Sequence, residues 1–278
     1  MRLVKMHGLG NDYIFADCIR EPLKNPGMFA ERISDRHFGV GADGLIIIRT
    51  SEKADYGMDI YNADGSRAEM CGNGIRCVGK YLYDNGYTKA DSLSIETLGG
   101  VKLLRLLIQD GICTGACVDM GEPILLPKKI PVLWNDDKMV DQEITVGGKP
   151  RRVTAVSMGN PHAVIFVKDV EHFNIAAVGP LVENHHMFPA RVNVEFVKVI
   201  DRGTIRMRVW ERGSGETMAC GTGASASAVA AVLNGYCDPR VTVKLNGGDL
   251  NIYWDRSSNH VFMEGPAKTV CTIGDFTI

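Results

Sequence analysis

The sequence lacks an excess of charge of either sign. It has 31 Lys and Arg residues against 33 Asp and Glu residues, which gives a formal net charge of −2 over 278 residues. Proteins that bind nucleic acids usually carry a basic excess. The near balance therefore argues against a surface for polyanions as the main function. Hydrophobic residues make up 45% of the chain, which is typical of a soluble globular protein with a substantial core.

The sequence also lacks the cysteine patterns of metal sites and disulfide scaffolds. None of the eight cysteines forms a C-x-x-C pair, so the ligand spacings of structural zinc are missing and no metal is expected. Eight cysteines are too few for a disulfide scaffold in a chain of this length. Residues 1–7 contain no apolar run of signal-peptide length. A reducing, cytoplasmic location with free thiols is therefore expected.

One stretch without charge resembles a membrane span in length. Residues 217–237 carry no Asp, Glu, Lys or Arg over 21 positions, and such a length is sufficient to cross a bilayer. The stretch consists mostly of Ala, Ser, Gly and Thr, so it is too polar to insert readily. We therefore predict a buried helix of small residues in a soluble domain.

The chain contains a weak internal repeat. Residues 70–74 (Met-Cys-Gly-Asn-Gly) resemble residues 219–223 (Ala-Cys-Gly-Thr-Gly), and Gly10-Asn11 resembles Gly159-Asn160. Both pairs of motifs are 149 positions apart. A period of this length is far too long for a solenoid. It predicts two copies of one domain, with the second copy beginning near residue 150.

The patterns between these motifs keep the same register. A helix is predicted over Pro26–His37, with Asn25 as its N-cap and Pro at its first position. Its counterpart is predicted over Ile175–His186, opened by Asn174. An apolar-periodic helix follows each Cys-Gly-x-Gly segment. The segment 123–150 has no counterpart in the first half and is interpreted as a linker with additional strands.

The predicted N-terminal domain comprises residues 1–117 and 263–278 and carries Cys71. The predicted C-terminal domain comprises residues 118–262 and carries Cys220. Each cysteine lies directly before a helix, where unpaired N–H groups and about half a positive charge are available. Such a position lowers a thiol pKa and can bind a carboxylate.

Two such helix ends facing each other would place one sulfur on each side of a bound carbon. Inversion of an α-carbon needs this arrangement, with one cysteine as thiolate and the other as thiol. Both helix ends would stabilise the negative charge that develops on the carboxylate. Cys71 and Cys220 are therefore the candidate acid/base pair. The other six cysteines are interpreted as packing residues: Cys18, Cys77, Cys113, Cys117, Cys237 and Cys271.

A dinucleotide fingerprint competes with this interpretation. Residues 221–226 match G-x-G-x-x-A. The fingerprint requires a strand that runs straight into the glycines, whereas residues 211–219 separate them from the predicted strand. Binding of a dinucleotide cofactor is therefore not expected.

Several longer motifs resemble those of the diaminopimelate epimerase family, whose members use no pyridoxal phosphate. Together these motifs cover nearly the whole chain. They lie at residues 6–12 (MHGLGND), 38–44 (FGVGADG), 61–66 (YNADGS), 70–77 (MCGNGIRC), 158–162 (MGNPH), 191–195 (RVNVE), 210–217 (WERGSGET) and 219–223 (ACGTG).

The resemblance implies an α+β fold of two pseudo-symmetric domains, each an antiparallel-rich sheet curled around a central helix, with the site between them. It implies that Cys71 and Cys220 interconvert LL- and meso-diaminopimelate, and that the protein is a homodimer that takes a small-molecule substrate. The helix-end groups that would hold the reacting carboxylate are Gly72, Asn73, Gly221 and Thr222. The substrate-recognition set would be Asn11, Asn62, Asn160, Asn193, Glu211 and Arg212. His162 and Glu211 resemble residues that tune the protonation of the thiols.

Alignment of the two copies shows that different residues surround the two cysteines. Asn62 corresponds to Glu211 and Tyr13 corresponds to His162, so titratable neighbours are expected only in the second half. The two cysteines should then differ in pKa. Some family members carry glutamine as a substrate contact where this chain has Gly44, so that contact is absent here or made by another group.

Two other functions are compatible with the residues. One is another amino-acid racemase of the same fold, of the proline or histidine type. The other is a thiol sensor or binding protein that forms a Cys71–Cys220 disulfide. Exchange of the substrate α-proton with solvent deuterium separates an epimerase from a sensor.

Overall fold

The computed structural model describes residues 1–68, 71–274 and 276. Met70 of the first repeat motif and positions 275, 277 and 278 of the predicted N-terminal domain lie outside the described residues. The chain divides into two compact units, Met1–Asp119 with Glu264–Ile278, and Met120–Met263. The sequence predicts that the chain passes from one domain to the other at residues 117/118 and 262/263. In the structure it does so at 119/120 and 263/264.

The first unit begins with eight strands and two helices. In chain order they are β1 (Arg2–Gly8), β2 (Asn11–Asp17), α1 (Pro26–Ser34), β3 (Gly44–Arg49), β4 (Tyr56–Asn62), β5 (Arg67–Ala68), α2 (Gly72–Asp84), β6 (Ser92–Thr97), β7 (Gly100–Gln109) and β8 (Ile112–Gly121). The change to the second unit falls within β8.

The second unit opens with a short 3-10 helix, Pro127–Lys129, and one strand without a counterpart, and then repeats the order of the first. Its elements are β9 (Gln142–Val146), β10 (Lys149–Ser157), β11 (Pro161–Phe166), α3 (Ile175–Glu183), β12 (Asn193–Asp201), β13 (Thr204–Glu211), β14 (Gly215–Thr217), α4 (Gly221–Leu233), β15 (Arg240–Leu245), β16 (Gly248–Trp254) and β17 (Val261–Pro266). A last strand, β18 (Lys268–Ile273), pairs with β1 of the first unit.

The strand pairings of the two units coincide at the offset of the sequence repeat. β2 and β3 pair in parallel with Ile14 opposite Leu45, and β11 and β12 pair in parallel with Ala163 opposite Val194. Both partners are displaced by the same 149 positions as the cysteine motifs. The β4–β6 and β13–β15 pairs are also parallel, and the β3–β4, β6–β7, β12–β13 and β15–β16 pairs are antiparallel. One topology is therefore used twice.

Each unit has one deeply buried helix that begins at the cysteine motif. Eleven of the 13 residues of α2 are buried, as are ten of the 13 residues of α4. A helix buried on nearly all sides must pack against strands on more than one face. α2 packs against β1, β2 and β7, and α4 packs against β10 to β13, β15 and β16.

The stretch without charge is thus the buried helix of small residues that its composition predicts. Alanine, glycine and serine let the surrounding strands approach the α4 backbone closely, since their side chains are short. Within residues 1–68, 71–274 and 276, no helix is long and apolar enough to cross a membrane.

The first helix is shorter than predicted, and its capping prediction is wrong. It ends at Ser34 rather than His37 because Asp35 leaves the helical region at φ −58° and ψ 126°. The Asp35 carboxylate then accepts the N–H groups of His37 and Phe38, each at 2.7 Å, which stabilises a turn in place of another helical turn. Asn25 does precede α1, but it is left-handed at φ 49° and its side chain makes no capping hydrogen bond.

The counterpart α3 has the predicted cap and also ends early. Asn174 accepts the N–H of Ala177 at 3.1 Å through its side-chain oxygen, as a helix N-cap does. The helix ends at Glu183 rather than His186. Asn184 takes the C-cap position, where its N–H donates back to carbonyls of the last turn.

The packing interpretation holds for most of the six remaining cysteines. Cys18, Cys77, Cys113 and Cys237 are buried and Cys117 is half-buried. For Cys271 the interpretation is wrong, because β18 is exposed along nearly its whole length and this side chain faces solvent.

Candidate active site

Cys71 is the N-cap of α2, and its sulfur replaces the oxygen of a usual capping side chain. Its backbone is extended, at φ −134° and ψ 109°, and Sγ accepts the N–H of Gly74 at 3.3 Å. A Cβ at Gly74 would lie 2.4 Å from Cδ1 of Ile46, so the helix can begin here only with glycine or after a shift of that side chain. The cysteine is half-buried.

Cys220 caps α4 with nearly the same geometry. Its backbone has φ −124° and ψ 112°, and Sγ accepts the N–H of Gly223 at 3.3 Å. The Thr222 hydroxyl lies 3.5 Å from the same sulfur. Both sulfurs therefore lie at the positive end of a buried helix, beside the backbone groups of Gly72 and Asn73 in one unit and of Gly221 and Thr222 in the other.

Two asparagines and a carboxylate orient the polar groups around Cys71. Oδ1 of Asn11 lies 3.3 Å from Sγ of Cys71 and 3.3 Å from Nδ2 of Asn73. Nδ2 of Asn11 donates to Oδ2 of Asp43 at 2.8 Å. Because the Asp43 carboxylate only accepts hydrogen bonds when ionised, it fixes which end of the Asn11 amide faces the sulfur.

Asn73 is fixed from the other side by a buried cation. Arg76, one turn along α2, is fully buried and donates from Nη2 to Oδ1 of Asn73 at 3.0 Å. Its Nη1 donates to the carbonyl of Gly72 at 2.9 Å. The first turn of α2 is thus held by a charged side chain at the point where the resemblance places a carboxylate-binding group.

Tyr13 is a site residue that the sequence does not single out. It is buried, and its side chain interacts with those of Asn11 and Cys71. Burial raises its pKa well above the ordinary value, and the nearby Cys71 and Asp43 groups raise it further. The expectation that titratable neighbours lie only in the second half is therefore wrong. The available signal is its alignment with His162.

His162 and Glu195 form a fully buried pair in the second unit. Nδ1 of His162 lies 2.7 Å from Oε1 of Glu195, and both side chains are 0% exposed. Nε2 of His162 lies 2.9 Å from Oδ1 of Asn160. The predicted residues His162 and Asn160 are thus in direct contact. Glu195, which the sequence indicates only as part of a motif, completes this hydrogen-bonded group of three residues.

Glu211 connects this part of the unit to Cys220. Its Oε1 accepts a hydrogen bond from the hydroxyl of Thr217, and its carboxyl interacts with the side chain of Cys220. Burial raises the pKa of Glu211. Burial also raises the pKa of Cys220 well above its ordinary value, and the negative charges of Glu211 and Glu195 raise it further. The hydrogen bond from the Gly223 N–H at the helix N-terminus lowers the pKa of Cys220, as expected, but burial and the two carboxylates outweigh it, so the expected net lowering is wrong for Cys220.

Asn193 and Arg212 lie together at the end of β13. Oδ1 of Asn193 accepts the backbone N–H of Arg212 at 2.9 Å, and its Nδ2 donates to the carbonyl of Pro161 at 3.0 Å. The exposed Arg212 side chain donates from Nη1 to the carbonyl of Ala190. Glu183 holds the turn that follows, by accepting the N–H of Gly213 at 3.0 Å.

The first unit brings together Cys71, Asn11, Gly72 and Asn73, and the second brings together Cys220, Gly221, Thr222, Glu211, His162 and Asn160. Asn62 ends β4, where its Nδ2 donates to the Ser66 hydroxyl at 3.0 Å. Among the residues that the structure describes, no group of three or more His, Cys, Asp or Glu side chains is placed to hold a metal ion.

The structure gives a steric reason for glycine at position 44. A Cβ there would lie 2.2 Å from the carbonyl oxygen of Tyr61 and 2.9 Å from the ring of Tyr13. The buried Tyr13 ring occupies the space into which a side chain at this position would extend. A glutamine at position 44 therefore requires the β3–β4 pair to shift.

We expect Gly44→Ala to lower the free energy of unfolding by about 1–3 kcal/mol, the usual cost of overpacking against atoms that cannot move away. Urea denaturation followed by circular dichroism measures this. Gly203→Ala is the matched control, because a Cβ there meets its nearest atom at an ordinary 3.6 Å. Unfolding of Gly44→Ala at the same urea concentration as the unmutated chain would contradict the steric argument.

Comparison with known proteins identifies the family of the chain. The diaminopimelate epimerase family model matches residues 3–126 and 154–270. Diaminopimelate epimerase of Acetivibrio thermocellus is 56% identical over 272 residues, which cover 97% of this chain and 96% of that protein. Diaminopimelate epimerase of Methanococcus maripaludis is 52% identical over 270 residues, which cover 97% and 98%.

Solved structures confirm the predicted α+β fold. The structure of a hydroxyproline epimerase from Agrobacterium vitis, with bound trans-4-OH-L-proline, superposes with a TM-score of 0.69 at 16% identity and covers 98% of this chain and 90% of that chain. At this identity the likeness concerns the fold alone. The family model and the identities above 50% lead to one conclusion: the chain belongs to the diaminopimelate epimerase family.

Proposed function

We propose that the chain interconverts LL- and meso-diaminopimelate without a cofactor, and that Cys71 and Cys220 remove and return the α-proton on opposite faces of the carbon. As a member of its family the chain is an isomerase. Each unit has one sulfur at one helix N-terminus, and the N–H groups at such an end can bind a carboxylate.

One observation carries this proposal. Two cysteines cap two buried helices with nearly the same backbone angles and the same sulfur-to-N–H distance of 3.3 Å. Their surroundings differ, with the buried cation Arg76 near one and the carboxylates Glu195 and Glu211 near the other. A symmetric frame with unlike surroundings suits a reaction in which one sulfur accepts a proton while the other donates one.

Two protons move in the proposed reaction, one from carbon to sulfur and one from sulfur to carbon. The thiolate forms an S–H bond with the α-proton as the C–H bond breaks, and the electron pair spreads into the carboxylate. The other cysteine breaks its own S–H bond and delivers that proton to the opposite face of the carbon, which leaves a thiolate on its sulfur. Unpaired N–H groups of both helix ends stabilise the charge on the carboxylate at the moment it is largest.

The raised pKa of Cys220 assigns it a resting role. Burial and the charges of Glu211 and Glu195 favour the protonated form of Cys220, so we propose it as the thiol of the pair before substrate binds. Glu211 interacts with this thiol and has a raised pKa of its own. It is therefore suited to exchange a proton with Cys220 between turnovers.

The remaining polar residues are proposed to recognise the substrate. Diaminopimelate has a second amino-acid centre, and an arginine side chain can bind its carboxylate with two parallel hydrogen bonds. Arg212 is exposed and Asn193 holds its backbone in place. Asn62 and Asn160 offer both donors and acceptors for an ammonium and a carboxylate. We also propose a cytoplasmic homodimer, on the basis of the free thiols and the family resemblance.

Deuterium exchange tests the proposal. The chain is incubated in D₂O with LL-diaminopimelate, meso-diaminopimelate or L-proline, and the α-proton signal is followed by NMR. Loss of that signal with both diaminopimelate isomers, and not with proline, is expected. Exchange with proline alone would favour a proline-type racemase, and no exchange with any of the three would favour a thiol sensor.

A further inference from the structure

We propose that Glu195 is a positioning residue that holds two protons on the His162–Glu195 pair, so that the pair stays electrically neutral as a unit and leaves proton exchange with Cys220 to Glu211. This inference rests on the proposed function, because it assigns roles within the same site. It concerns a residue that does not touch the reacting atoms and acts through His162.

The hydrogen bonds of His162 determine the number of protons. Both ring nitrogens face oxygen atoms, Oε1 of Glu195 at 2.7 Å and Oδ1 of Asn160 at 2.9 Å. An amide oxygen and a carboxylate oxygen are both acceptors, so each contact needs its own proton. Two protons on the pair correspond to an imidazolium beside a carboxylate, in which Nδ1 donates to Glu195 and Nε2 donates to Asn160. The net charge of this form is zero, and the ring has no free lone pair with which to take a proton from Cys220.

The internal repeat gives an independent comparison. In the first unit, Tyr13 corresponds to His162 and Ile46 corresponds to Glu195. Tyr13 and Ile46 are both buried. A tyrosine hydroxyl carries its own proton and needs no carboxylate, and there an isoleucine fills the space. The carboxylate therefore occurs in the unit that has the histidine. This indicates that it acts on the imidazole rather than on the packing of the fold.

The start of α4 makes room for this carboxylate. A Cβ at Gly223 would lie 2.6 Å from Oε1 of Glu195, so the equivalent glycines serve different neighbours in the two units. The other oxygen of Glu195, Oε2, is buried without a hydrogen-bond partner among the residues that the structure describes. Leaving a buried carboxylate half-satisfied is costly, and such a cost is retained where the group has a task.

The charged and titratable groups around the pair come from each neighbouring element. They are His162 on β11, Glu195 on β12, Glu211 on β13 and Cys220 at the start of α4. His162 lowers the pKa of Glu211 and Glu195 raises it, and the effect of His162 is the larger. The intact pair therefore holds the pKa of Glu211 below the level that burial alone would give, which favours its carboxylate form.

Glu195→Gln is the decisive variant. A glutamine can donate its amide N–H to Nδ1, so His162 becomes a neutral imidazole with a single proton on Nε2. The net effect of the pair on Glu211 is then lost, and the pKa of Glu211 rises. We expect the acid limb of the kcat/KM profile to move to higher pH. At pH 7 we expect activity to fall about 10- to 100-fold, by analogy with removal of the carboxylate that orients a metal-bound histidine.

A second readout requires no kinetics. In ¹⁵N-histidine-labelled protein, the ring nitrogens of His162 should both carry protons, and only Nε2 should carry one in Glu195→Gln. Comparison with His162→Gln identifies the signals among the seven histidines of the chain. Glu195→Asp keeps a carboxylate and should retain two ring protons. An exposed pair in the same unit, His172 with Asp169 at 2.8 Å, supplies the control: Asp169→Asn should leave the kinetic pH profile unchanged.

Three outcomes would overturn the inference. They are a singly protonated His162 ring in the unmutated chain, an unchanged pH profile in Glu195→Gln, and a normal profile in the double variant His162→Tyr/Glu195→Ile. The double variant copies the Tyr13 and Ile46 pair, so it should fold even if Glu195→Gln does not, and its activity at pH 7 should remain low. Failure of the proposed function would appear separately, as absence of α-proton exchange in the unmutated chain.

Discussion

Replacing either Cys71 or Cys220 with serine is expected to reduce epimerisation of diaminopimelate by about 10²–10⁴-fold, the contribution of a positioned acid/base group. A serine hydroxyl has a much higher pKa than a thiol, so it cannot accept the α-proton near neutral pH, although it fills nearly the same space. The sulfurs occupy matching positions 3.3 Å from the N–H of Gly74 and of Gly223. If each sulfur serves one face of the carbon, as proposed, the two losses should be of similar size. Conversion of LL- to meso-diaminopimelate measured in both directions provides the rates.

The chain contains matched controls for the same substitution. Cys117 is half-buried on β8 and Cys237 is buried near the end of α4. Neither lies at a helix N-terminus, so Cys117→Ser and Cys237→Ser should keep nearly full activity. Full activity in Cys71→Ser or in Cys220→Ser would refute the two-base mechanism, while equal losses in all four variants would indicate a general effect on folding.

The internal repeat explains why much of the topology can be predicted from the sequence. Equal offsets for the cysteine motifs and for Asn11 and Asn160 imply equal strand pairings, and Ile14 with Leu45 and Ala163 with Val194 pair at that offset. Local signals are weaker. A Pro preceded by Asn marks the start of α1 correctly, but the backbone of Asn25 is left-handed and its side chain makes no capping hydrogen bond. Sequence preferences describe which residue occupies a cap, whereas the hydrogen bond depends on the incoming chain direction.

The part of the site that sequence patterns do not reveal is the set of contacts across strands. Glu195 lies within the apolar run Val194–Val197, which predicts a buried strand and says nothing about a partner. Its contact with His162 depends on the parallel register of β11 and β12, and no local pattern encodes that register. The same holds for Asp43, which reaches Asn11 through the pairing of β2 and β3. Motifs thus indicate which residues take part, and tertiary contacts determine their protonation.

Glu211→Gln is expected to make Cys220 more reactive and the enzyme less active. The negative charge of Glu211 raises the pKa of Cys220 by disfavouring the thiolate. A neutral glutamine removes that charge, so the pKa of Cys220 falls and more of it is thiolate at a given pH. Because alkylation requires the thiolate, iodoacetamide should modify Cys220 faster at pH 8 in the variant. Epimerisation should fall about 10²-fold or more, since in the proposed mechanism the thiol exchanges its proton with this carboxylate.

Faster alkylation of Cys220 together with slower epimerisation distinguishes proton exchange from a structural role of Glu211. A variant that merely loosened the fold would alkylate its buried cysteines faster as a group, so the rate at Cys220 is compared with that at buried Cys77 by mass spectrometry of the tryptic peptides. The control is Glu216→Gln, because Glu216 is exposed and pairs with Arg208 at 2.7 Å outside the site. That variant should alter neither rate. If Glu211→Gln left the alkylation of Cys220 unchanged, its charge would not be what holds the proton on this sulfur. If epimerisation were unchanged, Cys220 would regain its proton without Glu211.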